Sequence, residues 1–253
     1  MRYWLIAIKN SIPPRWLIVL APFGALVASF LIWLAISFYF KPSQEQLKHL
    51  AEIESLRTQV SKGNPNAQYR TGIILRDGLS GGEKQTREAA KMFQLAAKKG
   101  HFEAQFALGK LHFEGDGVRK DYRVAARLYK SAAQMGSHRE AQFELGRLYY
   151  KGRGVGHDYS AAVDWFRRAA MQNHPGAQFV MASMYEKGWG VEKNLAEAFA
   201  LYALAAEYPS RVRSHQEKAD PIGEVKRLKK DLSRLDLKRG RERLRILKDK
   251  LRR

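Results

Sequence analysis

Residues 104–118 read AQFALGKLHFEGDGV, residues 141–155 read AQFELGRLYYKGRGV and residues 177–191 read AQFVMASMYEKGWGV. A more divergent copy, AQYRTGIILRDGLSGG, occupies 67–82, so the opening alanines at 67, 104, 141 and 177 are separated by 37, 37 and 36 residues. Self-similarity at such a period marks an array of supersecondary units, each too small to bury its own apolar face.

Every copy predicts the same helical hairpin. Its first helix, helix A, carries a small residue five positions after the alanine: Gly72, Gly109, Gly146 and Ala182. A glycine inside a helix costs about 1 kcal/mol against alanine, so its recurrence points to a place where another helix must come close. Eight positions after the alanine, Leu75, His112, Tyr149 and Tyr185 share that face and read as core. Helix A ends at a glycine pair, Gly115 and Gly117, Gly152 and Gly154, or Gly188 and Gly190, followed by Val118, Val155 or Val191. The first copy has Gly78, Gly81 and Gly82 with no valine, which predicts a longer, looser turn. Asp121, Asp158 and Asn194 are of the type that caps a helix N-terminus and open helix B. The buried stripe of helix B, for example Ala162, Trp165, Phe166, Ala169 and Ala170, alternates large and small residues as interlocking helices require. Gly100, Gly136 and Asn173 close helix B, whereas Pro209 stands at that place in the last copy and ends the regular array.

Before the repeats, Trp16–Phe40 contains no charged residue and is bracketed by Arg15 and Lys41. As a helix it is about 37 Å long, against a bilayer core of about 30 Å. It predicts one transmembrane helix over 16–40 that contacts the lipid bilayer, behind a juxtamembrane segment 1–15. Ala35 and Ser37 offer a small-x-small cleavage site, but the apolar run exceeds the roughly 7–15 residues of a signal peptide. Arg2, Lys9 and Arg15 precede the run and Lys41 and Lys48 follow it, a positive-inside bias that favours a cytoplasmic N-terminus. The expectation is a single-pass inner-membrane protein with extracytoplasmic repeats. Residues 43–63 read as a capping helix, with a stripe of Leu47, Leu50, Ile53, Leu56 and Val60 and a capping box at Ser43 and Gln46.

After the repeats, residues 211–253 hold 17 Lys or Arg against 7 Asp or Glu, half of the chain's net +20. Ile222, Val225, Leu228, Leu232 and Leu235 recur at helical spacing, Gly240 interrupts, and Leu244, Leu247 and Leu251 resume. Two short basic amphipathic helices are expected over 210–253, the first capping the last repeat. An anionic surface or an acidic protein fits such a charge. Nucleic acid is disfavoured, because the tail has no aromatic residue to stack on bases.

The chain has no cysteine, which excludes disulfides and thiolate chemistry. Gly152-Arg153-Gly154-Val155-Gly156 resembles part of a dinucleotide fingerprint, but a helix precedes it where that motif needs a strand. His112-Phe113-Glu114 lacks the paired cysteines of a zinc deaminase. The seven histidines show no His-x-x-x-His pair, and His101, His138 and His174 sit at junctions between copies. The sequence therefore assigns no catalytic, cofactor or metal residue.

The pattern A-x-x-x-L-G-x-x-Y, then G-x-G-V, D-x-x-x-A, an aromatic or leucine pair and A-A, resembles the Sel-one-like repeats, relatives of the tetratricopeptide repeats, over four copies within 64–209. The resemblance implies an all-α, right-handed α-solenoid of helical hairpins that serves as an adaptor in assembling complexes, often at bacterial membranes, with no activity of its own. The expected function is a membrane-anchored protein–protein scaffold in an envelope-associated assembly, with a protein partner on the concave face. The alternative is a membrane-tethered electrostatic module whose basic tail binds anionic lipid, envelope polymer or nucleic acid. Candidate partner contacts are helix A positions that vary between copies: Arg70, Lys110, Arg147 and Ser183.

Overall fold

The computed structural model describes residues 44–78, 84–135 and 138–252, and all of its regular structure is helical. The segment 1–15, the expected transmembrane helix 16–40, Ser43, the first glycine-rich turn at 79–83 and Gly136 lie outside the described residues. Among the described residues, no helix is long and apolar enough to cross a membrane.

The described residues form twelve helices in order: α1 Gln44–Ser61, α2 Pro65–Asp77, α3 Thr86–Lys98, α4 Phe102–Glu114, α5 Tyr122–Met135, α6 Arg139–Lys151, α7 Tyr159–Met171, α8 Pro175–Lys187, α9 Leu195–Ala205, α10 Pro209–His215, α11 Pro221–Asp231 and α12 Arg234–Leu251. The pairs α2–α3, α4–α5, α6–α7 and α8–α9 are the four hairpins, and each second helix packs on the first helix of the next pair. The result is an all-α solenoid.

The recurring small residue acts as a contact point within each hairpin. A Cβ added at Gly109 would lie 2.8 Å from the Tyr129 ring, and one at Gly146 would lie 2.8 Å from the Phe166 ring. Both rings are fully buried, so hairpin closure depends on the missing methyl. The second glycine of each turn works between repeats: a Cβ on Gly117 or Gly190 would fall 2.5 Å from the backbone of Thr86 or Tyr159, in the first turn of the preceding repeat's second helix. Asp121, Asp158 and Asn194 each accept a backbone N–H at the start of helix B, and Val118, Val155 and Val191 plug the turns against the core clusters. Leu75, Tyr149 and Tyr185 are half-buried against those clusters. His112 instead closes its turn, its Nδ1 donating to the Arg119 carbonyl at 3.2 Å.

At one end, Leu56 of α1 is buried with Ala67 and Ile74 of α2, while Leu47 is exposed. At the other end the structure corrects the expectation. Gly240 does not interrupt a helix: it lies inside the continuous α12, buried, where a Cβ would meet the Phe199 ring at 2.9 Å and the Ala196 carbonyl at 3.1 Å. The break falls earlier, at Leu232–Ser233, where the Ser233 hydroxyl accepts the Asp236 N–H. Leu228, Leu232 and Leu247 join the core of the fourth repeat, so the tail is built onto the solenoid, whereas Ile222 and Leu235 face solvent.

Candidate functional site

The Ala-Gln-aromatic phrase that opens each repeat builds the joint to both neighbours. Its alanine is buried at all four copies, which lets helices touch. Its glutamine is buried too, and the side-chain amide reaches back to a carbonyl near the end of the preceding helix B. Gln105 donates to Ala97, Gln142 to Ala133 and Gln178 to Ala170, each at 3.3 Å. The Ala97 and Ala170 carbonyls also accept the backbone N–H of Gly100 and Asn173, so each glutamine adds a second bond at a helix end and ties two repeats together.

The aromatic residue faces forward. Tyr69, Phe106 and Phe143 stack on His101, His138 and His174, the residues that begin the next repeat, with ring centroids 4.8, 4.6 and 4.4 Å apart. Each histidine caps helix A of its own repeat, its Nδ1 accepting the backbone N–H of Ala104, Ala141 or Ala177. In His101 and His174 the ring proton is thereby placed on Nε2, which donates to Asn66 Oδ1 at 2.9 Å and Glu140 Oε2 at 3.0 Å in the repeat behind. One imidazole thus serves as helix cap, stacking platform and cross-repeat donor. Burial lowers the His138 pKa from its ordinary value, and the His174 hydrogen bond lowers that of Glu140.

His215, at the end of α10, joins one of these joints, with its Nε2 3.9 Å from Glu140 Oε2. Glu140, His174 and His215 offer ligand atoms within 4.8 Å of one another. A divalent ion on Nε2 of His174 would force the ring proton to Nδ1 and break the Ala177 cap. The hydrogen bonds present are those of an ion-free N–H to carboxylate pair.

The four candidate contacts fall into two kinds. Arg70 and Lys110 are exposed, and Lys110 makes only a long pair with Glu114 at 3.8 Å. Arg147 and Ser183 are half-buried and engaged: Arg147 bonds Glu144 at 2.8 Å and lies over the Phe143 ring, and Ser183 hydrogen-bonds Tyr202. Burial raises the Glu144 pKa. The structure brings none of the four into a cavity with the others.

Cations in α11 and α12 are sorted by the side they face. Arg243 pairs with Glu197, Arg227 with Glu186 and Lys248 with Glu207, fastening both helices to the fourth repeat. Along α12, Arg234, Leu237, Lys238, Arg241, Glu242 and Arg245 line a shallow open groove.

Residues 65–101, 102–137, 139–174 and 175–207 each match the model of the Sel1 repeat. The chain belongs to the Sel1 repeat family. Among curated relatives, it is 36% identical over 95 residues to a chitin synthase regulator of Saccharomyces cerevisiae, covering 36% of this chain and 13% of that protein. It is 38% identical over 52 residues to an exopolysaccharide production negative regulator of Rhizobium leguminosarum, covering 21% of this chain and 20% of that protein. The matched stretches are thus small parts of those relatives. Among solved structures, a Sel1 repeat protein from Oxalobacter formigenes matches with a TM-score of 0.57 and 30% identity, over 72% of this chain and 69% of that one. A protective antigen of uropathogenic Escherichia coli matches with a TM-score of 0.57 and 34% identity, over 61% of this chain and 33% of that one. Sel1 repeats support a protein-interaction or regulatory role, and the residues that define them here are those that hold the stack together.

Sequence reasoning placed the Sel1 glycines, the plugging valines and the Asp and Asn caps. It missed the work of glutamine and histidine, although their recurrence at fixed offsets was the available signal.

Proposed function

We propose that this protein is an adaptor held at a membrane by Trp16–Phe40, with its repeats outside the cytoplasm and the helix A side of the stack receiving a protein partner in an envelope-associated assembly. The observation that carries this reading is the division of labour along helix A. Alanine, glutamine and aromatic positions are consumed by the joints, while Arg70 and Lys110 stay exposed, and the Lys110 position carries Ile73, Arg147 and Ser183 in the other copies. A surface whose neighbours are fixed and whose own residues vary is where a repeat array places its specificity. The charge-free run Trp16–Phe40 and its flanking Arg15 and Lys41 support the anchor. The relatives named as regulators of a polysaccharide synthase and of exopolysaccharide production support control of another enzyme by contact.

A photo-crosslinking residue placed at Arg70 or Lys110 in cells tests the reading, with the exposed Lys91 of α3 as comparison and a topology reporter fused after Arg253. Defined protein adducts from the first two positions and an extracytoplasmic reporter are expected. Adducts from Lys91 alone would remove the helix A face from consideration, and a cytoplasmic reporter would reverse the orientation.

A further inference from the structure

We propose that the solvent face of α12 is a second docking surface, which takes an acidic helix of a protein partner. It goes beyond the adaptor reading, because it lies on the C-terminal cap rather than on the repeats.

Arg234, Lys238, Arg241 and Arg245 recur at i, i+4, i+7 and i+11. They form a row about 16 Å long on one side of the helix, with steps of about 4.5–6 Å. Arg245 is neutralised by Glu242 and Asp249. Arg234, Lys238 and Arg241 are exposed and have no acidic partner among the described residues. Glu242 lines the same groove but bonds Arg245 at 2.7 Å rather than Lys238 or Arg241. Glu224 and Asp231 are committed to Arg227, and Asp236 pairs with Arg239. The described residues leave these three cations open to an acidic partner.

Three features select the class of that molecule. The apolar side of α12, with Gly240 and Leu247, is buried against α9, so the helix has no free greasy face to insert into a bilayer. The chain beyond Tyr208 carries no Phe, Tyr or Trp, so nothing on this face stacks on nucleic-acid bases. Carboxylates at i, i+4 and i+7 of a helix lying alongside repeat at the same steps as these cations, and guanidinium groups bind carboxylates in bidentate fashion. Leu237, on the groove wall, offers an apolar contact to the stems of those side chains.

The test uses the full chain in zwitterionic nanodiscs and a fluorescent helical peptide with glutamates at i, i+4, i+7 and i+11. A glutamine twin of the peptide serves as control, and anisotropy gives the affinities. The glutamate peptide should bind at least about 10-fold tighter than its twin, and weaken as salt rises. The triple variant R234E/K238E/R241E should lose at least about 10-fold, while K91E/R127E/K130E, with the same change in net charge on α3 and α5, should lose less than about 3-fold. Circular dichroism confirms that both variants keep their helix content; if the triple variant unfolds, single alanine replacements at the same three positions take its place. Equal losses in the two triple variants would mean that net charge alone draws the peptide, and would overturn the proposal. So would tighter binding of an oligonucleotide of equal charge, or displacement of the peptide by phosphatidylglycerol vesicles at lower charge concentration. Crosslinking from Arg70 and Lys110 is read independently, so failure of one surface is distinguishable from failure of the other.

Discussion

Gly154 and Gly156 stand two residues apart in the same turn, and replacing each with alanine should have opposite consequences. Gly154 has a φ of +71°, and a Cβ there would run into the carbonyl of Tyr122 and lie 2.7 Å from the Arg123 nitrogen. Alanine in the left-handed region costs about 1–2 kcal/mol. The obstructing atoms are the backbone of α5's first turn, which cannot rotate aside as a side chain would, and such overpacking adds about 1–3 kcal/mol. G154A should therefore destabilise by about 2–5 kcal/mol. A Cβ on Gly156 meets nothing within 4 Å and its φ lies outside the left-handed region. G156A should be neutral, or stabilise by about 0.4–1 kcal/mol through the unfolded chain. Urea unfolding followed by far-UV circular dichroism separates the two. Because the Gly154 contact joins the second repeat to the third, G154A should also split the transition in two, as expected for a stack held by nearest-neighbour interfaces. If G154A and G156A unfold at the same urea concentration, the assignment of the second glycine to the inter-repeat contact is wrong.

Three further outcomes follow from the joints and the cap. H138A should lose about 1–3 kcal/mol, from the helix cap and the stack on Phe106 together, while H138N, which keeps a capping oxygen, should recover part of it in the same unfolding assay. His138 has a folded pKa depressed below the ordinary 6.5, so the stability it confers is complete above that value and is lost as pH falls through the lower folded value. Thermal melts between pH 7.5 and about 5 should show a decline that is smaller in H138N. Q142L leaves the Ala133 carbonyl and the Gln172 amide without their partner and should cost about 1–3 kcal/mol by urea titration, with Q142E as a comparison that keeps the shape. Removing residues 210–253 should expose the core face of α9 and lower the melting temperature of the fourth repeat, whereas R243A alone should only raise hydrogen exchange in α12.

The fold was legible because its signals are spaced by rigid rules. Gly109 and Gly146 occupy the helical position where a ring from the partner helix lies against the backbone, and a Cβ added at either would come within 2.8 Å of that ring. Asp158 and Asn194 could be placed because a cap is a local matter of three residues. The duties of Gln142 and His174 were not legible, since each bonds a residue in another repeat and the partner is defined only once the copies are stacked. Gly240 misled for a related reason: read along the chain it breaks a stripe, whereas in space it admits Phe199. Of the candidate contacts, Arg147 and Ser183 looked free because their engagement with Glu144 and Tyr202 depends on side-chain reach, which spacing alone does not give.

The seating of α12 over α9 also bears on how copies of the molecule treat one another. A bare hairpin at the end of such a stack is a template on which another molecule's first repeat could continue, giving open-ended fibres. Here that template is occupied by the chain's own helix, which turns a row of like charges outward, so growth from this end is blocked by bulk and by mutual repulsion. The fourth repeat thus ends against an eighteen-residue helix rather than against a fifth hairpin.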